Sequence, residues 1–133
     1  MPDHATLIAA ARQARAQSVS PYSKFAVGAA LLTQGGDLIT GANVESASYG
    51  LSCCAERVAL FKALTEGHRH FTALAVASPG GAAPCGACRQ LIAEFAAEAQ
   101  LFIIDSNLEE CPPPTTITTL LPLSFTADDL PTD

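Results

Sequence analysis

The hydrophobic period changes twice in the first fifty residues. From Thr6 to Ala16, Leu7, Ile8, Ala11 and Ala14 recur at helical spacing while Arg12, Gln13 and Gln17 turn away, and Asp3 or Thr6 offers a cap, so a first helix is expected. Ser20-Pro21-Tyr22-Ser23 is turn chemistry that ends it. Val27 to Leu32 is then a nearly continuous apolar run, Gly35-Gly36-Asp37 a tight turn, and Leu38 to Ala42 a second run. Together they predict a hairpin buried on both faces. Asn43-Val44-Glu45 follows directly, at a strand end, where side chains point into sites.

Helical spacing returns from Cys54 to Thr65 through Val58, Ala59, Phe61 and Leu64, with Gly67 as its stop. Phe71 to Ala77 reads as a strand and Ser78-Pro79-Gly80-Gly81 as a loop. A further helix begins near Cys85, placing Cys85, Cys88, Ile92 and Phe95 on one face, and Gln100 to Ile104 is another strand. Pro112-Pro113-Pro114 breaks regular structure; Thr115 to Thr118 reads as a short edge strand, and Thr119 to Leu121 as the start of a helical turn. The order α-β-β-α-β-α-β, with no repeat and no linker, predicts one α/β domain over residues 1–133, a three-layer α/β/α sandwich with a mixed central sheet.

Composition adds an assembly expectation. The chain is 49% hydrophobic and 15% charged over 133 residues, more apolar side chain than a small monomer buries comfortably, so an oligomer is the natural outlet. The net charge is −6, and residues 101–133 carry six acidic side chains with no Lys or Arg. Phosphate backbones and anionic membranes are therefore poor partners. No targeting segment is read at the start, because Arg12 and Arg15 interrupt its alanine-rich run, and no stretch has bilayer-spanning length. Five cysteines, three of them at zinc-ligand spacing, suit reduced thiols in a cytoplasm better than a disulfide framework.

The chemistry lies in Cys54-Ala55-Glu56-Arg57 and Pro84-Cys85-Gly86-Ala87-Cys88-Arg89. Cys85 and Cys88 at a helix start can bring two sulfurs to one point, and exposed N–H groups there favour thiolates. That pair alone would more often be a redox motif or half of a structural zinc site. Cys54 supplies a third ligand and leaves no obvious fourth, and three protein ligands plus water is the catalytic pattern. His4, His68 and His70 are the candidates for a closing ligand; the last two lie a helix length, about 20 Å, from Cys54, and all three read best as solvent-facing. Glu56, about 200° around the helix from Cys54, should not chelate with it and is free to move protons. On position alone it is equally a first-turn carboxylate favoured by the helix dipole. Three thiolates on Zn²⁺ leave a net −1, which opposes ionisation of a bound water. Arg57, Arg89 or both are expected to offset that charge by hydrogen bonds to sulfur.

These residues resemble the small, homotetrameric, zinc-dependent cytidine deaminases nearly from end to end. The resemblance is carried by Pro21-Tyr22-Ser23-Lys24-Phe25-Ala26-Val27-Gly28-Ala29-Ala30, Gly41-Ala42-Asn43-Val44-Glu45-Ser46-Ala47-Ser48-Tyr49, Cys54-Ala55-Glu56-Arg57 and Pro84-Cys85-Gly86-Ala87-Cys88-Arg89-Gln90. It implies one zinc per chain on Cys54, Cys85 and Cys88, with Glu56 moving a proton from the zinc-bound water to N3 of cytidine or 2′-deoxycytidine. It also implies a hydrogen bond from the backbone N–H of Ala55 to the base, and ribose binding by Asn43 and Glu45, whose side chains share one side of an extended segment. Phe25 matches the aromatic that packs on the pyrimidine. Phe125 matches one contributed by a neighbouring subunit, and Tyr49 a cross-subunit contact. With no basic pocket assigned, a nucleoside is favoured over a nucleotide. Cys53 stands outside the ligand register, Cys111 is a bystander, and residues 107–118 match weakly.

Two other classes compete: a structural zinc module, which needs a fourth ligand, and a thiol-disulfide protein using Cys85 and Cys88. Among deaminases the runner-up substrate is another amino-bearing heterocycle, such as a nucleoside antibiotic or a modified cytosine. Editing of a nucleic acid strand would need a cationic path that this acidic chain lacks.

Overall fold

The computed structural model describes residues 2–131. The first helix, α1 (His4–Ala14), starts where the Asp3 carboxylate accepts from the N–H of Thr6 at 2.8 Å. It begins two residues before the expected start, and its last expected turn is 3-10 helix, Arg15–Gln17. The predicted hairpin is present as β1 (Gly28–Thr33) and β2 (Leu38–Ala42), antiparallel, with Gly28 opposite Ala42. Then come α2 (Ala55–Thr65), β3 (Phe71–Ser78), α3 (Gly86–Phe95) and β4 (Gln100–Asp105). Gly67, at φ +98°, takes the left-handed conformation that stops α2.

The sheet order is β2-β1-β3-β4. β1 pairs antiparallel with β3, while β3 and β4 are parallel and joined by α3, so the sheet is mixed as expected. Alternation along the strands divides the core in two. Ala29, Leu31, Leu74, Val76 and Leu101 face Ala59, Leu60 and Ala63 of α2 and Ile92 of α3. Ala30, Leu32, Ala73, Ala75, Ala77 and Ile104 face Leu7 and Ala11 of α1. Those two helical layers around one sheet are the predicted α/β/α sandwich.

Both helices rest on glycines of the hairpin. A Cβ on Gly28 would stand 2.3 Å from the carbonyl oxygen of Ala11 in α1, and one on Gly41 would stand 2.6 Å from the backbone nitrogen of Ala59 in α2. Backbone therefore touches backbone, and this sets the height of α2 over β2. The expected edge strand at Thr115–Thr118 is not formed. Thr115 makes one antiparallel bridge to Leu101, and Thr116 then caps a short helix, α4 (Ile117–Leu120), two residues earlier than expected. The Thr116 hydroxyl accepting from the N–H of Thr119 overrides the strand preference of a β-branched run.

Candidate active site

Three segments converge at one end of the sheet. Asn43-Val44-Glu45 continues β2 as an extended segment held on both sides: Val44 exchanges backbone hydrogen bonds with Cys53 (3.0 and 2.8 Å), and Val19 bonds to Asn43 and Glu45. Cys54 is the residue before the first turn of α2 and Cys85 the residue before that of α3. Their carbonyls accept the first helical bonds, from Val58 and Arg89, while neither sulfur caps its own helix. The sulfurs are thus free to face each other, 3.6 Å apart.

The Sγ atoms of Cys54, Cys85 and Cys88 all lie within 4.8 Å of one another, the only such group of potential ligands among the described residues. A tetrahedral zinc with bonds of about 2.3 Å separates its sulfurs by about 3.8 Å, so this donor set fits zinc and leaves a fourth direction open. His4, His68 and His70 are not in the cluster. His4 instead packs its ring against Phe102, with centroids 4.8 Å apart.

A cavity of about 400 Å³ opens beside the sulfurs. Phe25, Asn43, Glu45, Tyr49, Cys54, Ala55, Glu56, Arg57 and Cys85 all line it, so most of the residues singled out in the sequence meet at one place. Cys88 is buried and does not line the cavity. Ala55 is the first residue of α2 and so has no intrahelical acceptor for its N–H. Phe125 does not line the cavity; it is exposed, and its carbonyl oxygen accepts from Nε2 of Gln90 at 2.6 Å.

Burial sets the electrostatics. Glu56 is 5% exposed; desolvation pushes its carboxyl above the ordinary value, and the Cys54 sulfur adds to the rise. Cys54 is lowered from 9.0 to about 5, first by a hydrogen bond from Cys88, then by those from Arg57 and Cys85. Cys88 rises in turn, because it keeps the proton it donates to Cys54. Arg57 places Nη2 3.7 Å from the Cys54 sulfur and 3.4 Å from the carbonyl oxygen of Ser52. Arg89 does not share that task. It donates to the carbonyl oxygens of Pro84 and Leu120, both at 2.8 Å, and so ties the ligand loop to the C-terminal segment.

Asn43 and Glu45 line the same cavity, and their hydrogen bonds leave a defined remainder. Asn43 Oδ1 accepts from the N–H of Val27 at 2.9 Å and from the Ser18 hydroxyl, and Nδ2 donates to the carbonyl oxygen of Phe25 at 2.8 Å. An N–H must donate and a carbonyl must accept, so the amide orientation is fixed and one N–H of Asn43 is left over. Glu45 Oε1 accepts from the N–H groups of Tyr22 and Ser23, and Oε2 from the Ser23 hydroxyl. Acceptor capacity remains on Oε2. The sequence did not announce Ser18, and Ser23 reads there as part of the turn that ends the first helix.

A protein-family model described as the cytidine and deoxycytidylate deaminase zinc-binding region matches residues 1–104. The chain belongs to this deaminase family. The cytidine deaminase of Halalkalibacterium halodurans is 48% identical over 131 residues, 96% of this chain and 98% of that one. The cytidine deaminase of Sporosarcina psychrophila is 47% identical over 126 residues, 93% and 92% of the two chains. Among solved structures, cytidine deaminase from Burkholderia pseudomallei matches with a TM-score of 0.86 at 45% identity, covering 94% of this chain and 100% of that one. The three-thiol cluster and the buried glutamate therefore belong to a hydrolytic, zinc-binding deaminase.

Proposed function

We propose that the chain converts cytidine and 2′-deoxycytidine, with water, to uridine and 2′-deoxyuridine plus ammonia, as a pyrimidine-salvage enzyme of the cytoplasm. The observation that carries this reading is the company of one cavity: a buried carboxylate beside a cluster of three thiols that can hold a metal, together with one spare donor on Asn43 and one spare acceptor on Glu45. Zinc, when bound by Cys54, Cys85 and Cys88, supplies the acidity that makes water a nucleophile near neutrality. Glu56, with its pKa raised, takes a proton from water, gives it to N3 of the pyrimidine and carries a further proton to the exocyclic amine as C4 is attacked and ammonia leaves. The N–H of Ala55 holds the base, Phe25 packs on it, and Arg57 draws negative charge from Cys54.

Asn43 and Glu45 suit a ribose 3′-hydroxyl, which accepts from the spare N–H and donates to Oε2. Among the described residues Arg57 is the one cation lining the cavity, and it is engaged with sulfur, so a 5′-phosphate finds no partner there and a nucleoside is favoured. A homotetramer with sites at subunit interfaces is supported by Tyr49 and Leu51, 84% and 74% exposed close to the cavity, and by Phe125, which is exposed and does not line its own chain's cavity. In that assembly Phe125 closes a neighbour's cavity and Tyr49 contacts the neighbouring chain. Five free thiols suit a reducing compartment, and no described helix is long and apolar enough to cross a membrane.

The test is absorbance-monitored deamination of cytidine and deoxycytidine beside adenosine, guanine and free cytosine, with zinc counted per chain. Turnover of neither cytosine nucleoside would overturn the proposal. Glu56→Gln should retain zinc and lose turnover by about 10³-fold, whereas a purely structural zinc would leave that variant unaffected. A stable, fully active monomer would remove the role given to Phe125.

A further inference from the structure

The carboxylate of Glu45 is gripped by a single turn of chain. Its two backbone donors, Tyr22 and Ser23, act on Oε1 at 3.2 and 3.1 Å, and the Ser23 hydroxyl alone acts on Oε2. That hydroxyl also accepts from the N–H of Phe25 at 3.0 Å. A hydroxyl has one proton, and an N–H can only donate, so the Ser23 proton is committed to Glu45. Between them, Lys24 is held at φ 60°, a left-handed conformation that costs a residue with a side chain about 1 kcal/mol. The turn is thus bent to bring Ser23 and Phe25 to the same place.

We infer that Ser23 is a positioning residue for the ribose subsite, its hydroxyl locking the Glu45 carboxylate and the Phe25 backbone in one register so that the remaining acceptor capacity of Oε2 meets the ribose hydroxyl. The inference rests on the cytidine deaminase reading above. Removing the hydroxyl leaves both bonds to Oε1 in place, so the carboxylate stays near its site but is free to turn about that hinge. The same hydroxyl is the largest influence lowering the Glu45 pKa, which agrees with its acting on the ionised form. Ser23 is exposed and outside the core, so its loss should be felt in binding and not in folding.

Steady-state kinetics of the zinc-loaded protein with cytidine and with 3′-deoxycytidine test this. Ser23→Ala should raise KM for cytidine about tenfold with kcat within twofold, the size expected for one lost hydrogen bond to a charged group. On 3′-deoxycytidine, which lacks the hydroxyl that Glu45 receives, the same variant should match the wild type. Ser23→Thr restores a hydroxyl and should return KM for cytidine to within twofold. An unchanged KM for cytidine in an active Ser23→Ala enzyme overturns the inference. So does a rise of equal size on both nucleosides, which would mark a general loosening of the turn. Failure of the wild type to deaminate cytidine would instead remove the deaminase reading, and the subsite with it.

Discussion

Adding a methyl group at position 41 tests whether the hairpin sets the height of α2, and hence the position of the catalytic end of that helix. An alanine Cβ there stands 2.6 Å from the nitrogen of Ala59 and 2.8 Å from the oxygen of Ala55, against the 3.4 Å at which ordinary contact begins, so α2 must rise by about 0.8 Å. Neither neighbour can rotate aside, because both are helix backbone. A gap of that size forfeits a quarter to a half of the dispersion attraction along the interface, where Ala55, Ala59, Leu60 and Ala63 are all buried. Overpacking typically costs 1–3 kcal/mol, and a clash that is all backbone belongs at the top of that range, about 3 kcal/mol. At a urea slope of about 2 kcal/mol/M the midpoint of Gly41→Ala should fall by about 1.5 M, measured with zinc bound and at one protein concentration. Cys54 and Glu56 move with the helix start, so turnover should fall about a hundredfold, the scale of a 1 Å misplacement. Gly35→Ala is the control, since its Cβ meets only the Thr33 hydroxyl at 3.9 Å, and it should stay within about 0.5 kcal/mol of the wild type. A Gly41→Ala midpoint equal to that of the control, with full turnover, would refute the reasoning.

Cys53→Ser should bind one zinc per chain and Cys54→Ser should not, read by metal analysis after dialysis; equal zinc in both would place the ligand register wrongly. In chelator-treated protein Cys54, lowered to about 5, is a thiolate above that pH, while Cys53, Cys88 and Cys111 are all raised and remain thiols in mild acid. Iodoacetamide at about pH 6 should therefore label Cys54 ahead of those three, with selectivity fading as pH approaches the ordinary thiol range and with protonation of Cys54 below its own pKa; even labelling in a peptide map at pH 6 would contradict this. Arg57→Gln should keep zinc and lose activity about 10- to 100-fold, and full zinc with unchanged activity would end the case for its action on sulfur.

What was legible in the sequence is what period and turn chemistry encode. The hairpin edges, the Gly67 stop and the two cysteine-led helix starts all follow from residues adjacent in the chain. Apolar surplus pointed toward exposed apolar surface, and Tyr49, Leu51 and Phe125 carry it. The failures lie where distant partners decide. Arg57 and Arg89 look alike beside their cysteines, but Arg89 is captured by the carbonyl oxygen of Leu120, 31 residues on. Thr115–Thr118 has the composition of a strand, yet only Thr115 finds a partner before the Thr116 hydroxyl caps a helix. Ser23 reads only as a turn residue and Ser18 carries no signal, because nothing local shows that their hydroxyls reach Glu45 and Asn43.

The separation of 31 positions between Cys54 and Cys85 gives the sulfur cluster a second significance, one of chain topology. The intervening segment contains α2 and β3, and the sulfurs sit at its two ends. A metal joining the ends acts on the unfolded chain as a cross-link does, removing loop-closure freedom worth about 3.7 kcal/mol for a loop of this length in the chain-entropy model. Metal affinity and resistance to unfolding are then two measures of one closure, and selection for tight zinc binding also selects for a stable sandwich.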